Sequence, residues 1–286
     1  MKKEDIIDSI LSLYNDLDGN TVEITDDGCE RINPIYDPPL VGFGDAHDGL
    51  FDEYKNPSVI GPWHMSPDEW LPGAETVISV FFPFSENVRR SNRSGDQPSY
   101  EWLYGRIEGQ AYIAVFSGKL KELIENNGIA VCVPSIDARF RSFKRGEGLD
   151  GYSDTRPDTY GSRWSERHAA YVCGLGTFGL SKGLITSKGI AGRFTSLIIS
   201  EKISPDKRPY SGIYDYCLMC GACAKNCPAG AITIENGKDH ILCEKWLNRT
   251  AEKYAPRYGC GKCQSGVPCE NCIPVKGRTD SASSAG

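Results

Sequence analysis

Long apolar stretches are missing from this chain. No run approaches the roughly 18 residues that a membrane-crossing helix needs, which excludes a helical membrane protein. A secretory leader is missing as well: after Lys2 and Lys3 come acids at Glu4, Asp5 and Asp8, with neither an unbroken apolar core nor a small-residue cleavage site. The expected location is therefore cytoplasmic. Basic charge is not in excess either. Lys and Arg number 32 against 38 Asp and Glu, a net charge of −6, which argues against a nucleic-acid scaffold because phosphates call for a basic face. A local patch of Arg139, Arg141, Lys144 and Arg145 is still available to a phosphate-bearing ligand. Internal repeats of roughly 20–50 residues are also absent.

What the chain has is cysteine. Nine of its 12 cysteines crowd between Cys217 and Cys272, and in a chain without an export signal such clustering points to metal rather than to disulfides. Cys29, Cys132 and Cys173 stand apart and read as small buried hydrophobes.

At 286 residues there is room for one large domain and one small one. Ile6, Ile7, Ile10, Leu11 and Leu13 recur at helical spacing, so an amphipathic first helix is expected. Thr76–Phe82, β-branched and aromatic, follows the turn signal Leu71-Pro72-Gly73 and reads as a buried strand. Ala111–Asn127 carries a helical pattern with Val115, Leu120, Leu123 and Ile124 on one side, stopped by Gly128. Ile129–Val133 and Phe194–Ile199 read as further strands. Between them, Phe143–Arg163 is too long and polar for a simple turn, and loops of this length are often functional. Composition shifts at Ser204–Tyr214, which places a boundary near residue 205. Lys276–Gly286 holds no apolar residue larger than alanine and is expected to be disordered. The expected fold class is α+β, with domains at 1–205 and 206–275 and a tail at 276–286.

Cys217-x2-Cys220-x2-Cys223-x3-Cys227-Pro228 is the run that bacterial ferredoxins use. Its first three thiolates hold one cubane and its fourth reaches the other cluster, whereas zinc sites use separated CxxC pairs. Two [4Fe–4S] clusters need four further thiolates, and five remain: Cys243, Cys260, Cys263, Cys269 and Cys272. The economical assignment is Cys217, Cys220, Cys223 and Cys269 for one cluster and Cys227, Cys243, Cys260 and Cys263 for the other. Cys272 is the rival of Cys269, since a proline follows it at 274.

Two clusters in series need a terminus for their electrons. The densest candidate segment runs from Ser162, read as a helix N-cap, to Ser181. Within it Gly174, Leu175, Gly176, Thr177, Phe178 and Gly179 match G-x-G-x-x-G. No strand precedes them and no helix follows, so a dinucleotide site is not expected. A backbone segment with so little side-chain bulk can lie flat against a large planar ligand.

Glu166–Ser181, together with Leu71-Pro72-Gly73 and the ferredoxin-like order ending in Tyr258-Gly-Cys260-Gly-Lys-Cys263-Gln264, resembles the epoxyqueuosine reductases and the corrinoid-dependent reductive dehalogenases. The similarity spans roughly residues 70–275. It implies a nitroreductase-like α/β domain that holds cobalamin, followed by a two-cluster ferredoxin-like domain that delivers electrons to cobalt. It also implies base-off cobalamin with no histidine from the protein under the metal, and Asp45-Ala46-His47-Asp48-Gly49 is one residue short of the D-x-H-x-x-G spacing. His47 and His168 are accordingly read as surface or locally bonded imidazoles. Counting back from Gly174 sets Tyr160 near the family's proton donor, with Tyr152, Asp154 and Asp158 as rivals.

The chain departs from the resemblance in stopping before the helical-repeat domain of epoxyqueuosine reductases and in carrying no twin-arginine signal. The expected function is a cytoplasmic corrinoid-dependent reductase of a small organic or nucleoside-like substrate, fed by a low-potential donor such as ferredoxin or flavodoxin. The alternatives are an electron-transfer protein that reduces a partner's corrinoid or flavin, and a short epoxyqueuosine reductase, which leaves tRNA open as a partner.

Overall fold

The computed structural model describes residues 1–25, 31–144 and 160–275. Cys29, Arg145, Tyr152, Asp154, Asp158 and the 276–286 tail lie outside the described residues.

Helix α1 (Lys3–Asp16) buries Ile6 and Ile10 completely and leaves its acidic face outward. A hairpin of β1 (Thr21–Ile24) and β2 (Arg31–Pro34) leads to β3 (Leu40–Asp45), and two short helices, α2 (Leu50–Glu53) and α3 (Pro67–Trp70), precede β4 (Thr76–Pro83). All eight residues of β4 are buried, the mark of a strand covered on both faces. The alternation shows how. Ile78, Val80 and Phe82 pack with Ile6, Ile10, Phe116 and Leu120 in one core, while Val77 faces Ala169, Val172 and Trp164 in another.

Helix α4 (Glu86–Ser91) is followed by α5 (Tyr100–Glu125), capped by the Ser99 hydroxyl, which accepts from the Trp102 amide at 3.2 Å. α5 starts eleven residues before the expected Ala111. Its inward stripe is Ile113, Phe116, Leu120 and Ile124, whereas Val115 and Leu123 are 52% and 42% exposed. The true stripe steps by three and four residues, and the other two sit off it. Full burial of a side chain such as Phe116 contributes about 1.5–3 kcal/mol. Gly128, at φ +78°, closes the turn after the helix.

The central sheet is antiparallel throughout, in the order β3–β4–β10–β5, where β5 is only Val131–Cys132 and β10 is Gly192–Ile199. β4 and β10 pair along their whole length, from Thr76↔Ile199 to Pro83↔Gly192. Between β5 and β10 come the pair β6 (Ser142–Lys144) and β7 (Tyr160–Ser162), helix α6 (Glu166–Val172), and the hairpin β8 (Gly176–Phe178) with β9 (Leu184–Thr186). Ser165, not Ser162, precedes α6; Ser162 ends β7 and donates to the Trp164 carbonyl at 2.7 Å. Cys132 and Cys173 are buried, the latter with its thiol toward the Val77 carbonyl at 3.3 Å.

The cysteine-rich part has little regular structure: α7 (Ala222–Lys225), the two-residue strands β11 (Ile232–Thr233) and β12 (Gly237–Lys238), and α8 (His240–Tyr254), capped by Asp239. It is fastened to the α+β body at several points. The Ile190 amide donates to the Cys269 carbonyl at 2.9 Å, Arg93 pairs with Glu270 at 2.6 Å, and Lys262 donates to the carbonyls of Asn92 and Ser94. Gly261, at φ +69°, lies so close to the Trp102 ring that a β-carbon there would collide with it.

Candidate functional site

The nine clustered cysteines divide into two sets and one outlier. The Cys269 thiol, which burial pushes up to about 12, is raised further by Cys217, Cys223 and Cys220. Cys260, pushed up to about 11 by burial, is raised further by Cys263, Cys243 and Cys227. Cys223 feels Cys263 besides Cys217 and Cys220, which marks where the two sets adjoin. Cys272 is turned toward the Pro268 carbonyl at 3.7 Å.

Main-chain amides point at the sulfurs, Leu180 N–H at Cys217 (3.4 Å) and Ala231 N–H at Cys227 (3.3 Å). Such crowded thiols lose their protons only when metal supplies positive charge. Among the described residues no three His, Cys, Asp or Glu side chains are gathered on one point as ligands of a single ion would be. A cubane does not ask for that, because its four thiolates stand at four separate iron corners. The residues fit two cubanes.

The second set forms one wall of a cleft of about 960 Å³ between the cysteine-rich part and the α+β body, at the top of the usual range for small-molecule sites. α5, β7, α6, β10 and α8 supply the other walls. Tyr160, 43% exposed, stands at this cleft with its ring 5.9 Å from His240. Burial, a hydrogen bond to Glu244 and the Glu244 charge push its phenol up to about 12.

Two titratable groups of the cleft escaped the sequence reading. Glu166 accepts from Ser196 Oγ at 2.6 Å, which in turn accepts from Trp164 Nε1 at 2.8 Å, and its Oε1 has no partner. Burial pushes its carboxyl up to about 7. His240 is held near 4, mainly by burial and then by Lys238, and so stays neutral. Glu166 opens the Glu166–Ser181 segment but was given no role there, and His240 sits in no motif; their approach in space gives them a site. Trp246 Nε1, also in the cleft, is unpartnered. Such orphaned polar atoms fit a ligand with a polar, amide-rich rim, as a corrin has.

None of Gly174, Leu175, Gly176, Thr177, Phe178 and Gly179 lines the cleft. Gly174, at φ +79°, lies against the Lys207 carbonyl, and a β-carbon on Gly176 would run into the Ile185 carbonyl. Thr177 Oγ1 accepts from the Tyr216 amide, the Phe178 amide donates to the Ile213 carbonyl, and Gly179 packs on Ile185. The lack of side-chain bulk lets the β8–β9 hairpin pack closely. His47 is exposed near Glu75, and His168, held near 3 by burial, meets Ser165 Oγ at 2.7 Å.

These features define a [4Fe–4S] protein with a large ligand cleft, and comparison with known proteins agrees. Residues 211–233 match the 4Fe-4S binding domain. Tetrachloroethene reductive dehalogenase of Desulfitobacterium hafniense is 34% identical over 113 residues, 37% of this chain and 20% of the relative. The Dehalobacter restrictus (strain DSM 9455 / PER-K23) enzyme of the same name matches over the same shares. The chain thus matches only about a fifth of the length of these curated relatives. Among solved structures, epoxyqueuosine reductase with an epoxyqueuosine-modified tRNA-Tyr stem loop aligns with a TM-score of 0.53 at 16% identity, over 94% of this chain and 65% of that one. A catabolic reductive dehalogenase aligns with a TM-score of 0.52 at 17% identity, over 84% of this chain and 31% of that one. The chain has the fold that epoxyqueuosine reductases and reductive dehalogenases share, and it resembles both.

Proposed function

We propose that this chain is a cytoplasmic reductase that passes electrons through two [4Fe–4S] clusters to a corrinoid in the cleft, where a small organic or nucleoside-like substrate is reduced. Residues 1–205 are the nitroreductase-like corrinoid-binding domain and residues 206–275 the electron-relay domain. The observation that carries the reading is that Cys227, Cys243, Cys260 and Cys263 form a wall of the 960 Å³ cleft. A cluster there hands electrons to whatever the cleft holds. The first set, with Cys220 exposed, faces a low-potential donor such as ferredoxin or flavodoxin.

Base-off cobalamin bound in the cleft supplies cobalt chemistry that side chains lack. The chain supplies the rest. The cysteine sets hold the clusters, and the walls keep bulk water from the reacting centre. Two groups can deliver a proton to the reduced substrate: Tyr160, and Glu166, whose pKa lies nearer the working pH. The Gly174–Gly179 segment acts at one remove, holding β9, whose Leu184 lines the cleft.

The test is anaerobic purification with reconstituted clusters, followed by titration with cobalamin. A shift of the visible band to the base-off form is expected. No shift with both clusters intact refutes the corrinoid reading and leaves an electron-transfer protein that serves a partner's corrinoid or flavin. A queuosine assay on tRNA separates the epoxide-reducing version from reduction of a small molecule. Among the described residues no helix is long and apolar enough to cross a membrane.

A further inference from the structure

Three guanidinium groups reach the cleft from three separate elements: Arg106 from α5, Arg167 from α6 and Arg193 from β10. They repel one another. After burial, Arg106 and then Arg167 help pull Arg193 down to about 10, and Arg106 acts on Arg167 in the same sense. Among the described residues no carboxylate pairs with any of the three. Arg167 donates to the Lys182 carbonyl at 3.2 Å, Arg193 donates to the Arg106 carbonyl at 3.3 Å, and Arg106 Nε has no partner. Arg106 lies over the Tyr258 ring at 4.3 Å, a contact that keeps its plane fixed without neutralising it.

The cleft's carboxylates do not pair with the arginines: Glu166 bonds Ser196 through one oxygen and leaves the other unpartnered, and Glu244 bonds Tyr160. Cys263 of the second set offsets part of the charge on Arg167 but does not figure among the influences on Arg193. Arg106 and Arg193 are half-buried and Arg167 is exposed to the cleft, and three cations held together without a counter-charge are costly unless the ligand brings the negative charge with it. Guanidinium groups, with their planar forks, suit oxyanions better than point charges do.

We infer that Arg106, Arg167 and Arg193 form an oxyanion-binding wall that receives a phosphate or carboxylate group inside the cleft. Resting on the cleft as the reaction site, this narrows the substrate to an anionic molecule, unless the phosphodiester of the corrinoid's nucleotide tail takes the place.

The experiment begins with cluster-loaded, corrinoid-free protein titrated calorimetrically with inorganic phosphate, so it stands whether or not a corrinoid binds. Wild type should bind phosphate, and Arg193→Gln should weaken binding by about tenfold to a hundredfold. Arg90→Gln, on the exposed side of α4, should change nothing. If Arg193→Gln fails to fold, Arg167→Gln carries the comparison, because its side chain faces the open cleft rather than a packed core. No phosphate binding in wild type overturns the inference. So does equal binding in wild type and variants, including the case in which only a cluster potential moves, since the arginines would then merely balance the iron–sulfur charge. Titration with cobalamin and with cobinamide, which lacks the nucleotide phosphate, identifies the source. Loss of affinity for cobalamin alone in Arg193→Gln assigns the wall to the cofactor. Unchanged affinity for both, with phosphate still bound to corrinoid-loaded wild type, assigns it to the substrate.

Discussion

Glu166→Gln tests how enclosed the cleft is. In the folded chain the Glu166 carboxyl is pushed from 4.5 up to about 7, chiefly by burial. Below pH 4.5 the group is neutral whether the chain is folded or not. Between 4.5 and 7 the unfolded chain has released a proton that the folded chain still holds, so stability falls as pH rises and the loss is complete above 7. The shift corresponds to about 3 kcal/mol, and the side chain's partial opening to the cleft lowers this to about 2 kcal/mol. Glutamine keeps an acceptor for Ser196 Oγ and removes the titration. The variant should therefore match wild type near pH 5 and exceed it by about 2 kcal/mol near pH 8 in anaerobic urea unfolding followed by tryptophan fluorescence. Infrared difference spectra should show a protonated carboxyl that disappears near pH 7 in wild type and is absent from the variant. A constant gap between the two proteins at every pH, or a carboxyl already ionised at pH 5, would refute the argument.

Cys269→Ser should lower the iron content from about eight atoms per chain by damaging the first cluster, while Cys272→Ser leaves it intact; iron and sulfide analysis decides, and the reverse pattern makes Cys272 the ligand. Tyr160→Phe should leave corrinoid binding unchanged and lower turnover by about 10²- to 10⁴-fold if the phenol donates the proton; full turnover with loss in Glu166→Gln transfers that role to Glu166. Gly176→Val should destabilise the protein, because the new β-carbon meets the Ile185 carbonyl; a melting temperature equal to that of wild type contradicts this placement.

Three of the four sheet strands and the iron–sulfur ligand types were legible because their signals are local; β3 (Leu40–Asp45), broken by Gly42 and Gly44, was not read as a strand. β4 reads as a strand since Thr76–Phe82 is apolar without a break, and the Cys217–Cys227 spacing needs no fold to be recognised. α5 was half hidden: Gly105 and Gly109 look like interruptions, yet they let Phe84 and Tyr36 approach the helix. The glycines at 174, 176 and 179 signal close approach but not of what; in the structure the nearest groups are Lys207 and Ile185. The cleft itself was invisible. Arg106, Glu166, Arg193 and His240 come from four elements, and no period in the sequence links them.

The sharing of cysteines has a consequence for how the protein is made. In the proposed ligand assignment the first set is closed by Cys269 and the second draws Cys227 from the run that begins the first, so the first cubane would wait for Cys269 and the second for Cys263. A ribosome that has released everything up to α8 still presents a chain with no complete cluster site. Iron loading would thereby be deferred until the chain has been made past Cys263 for one set and past Cys269 for the other. A nascent chain broken off before Cys260 would then carry neither a finished cluster nor the contacts of Lys262 and Glu270 that fasten this part to the body.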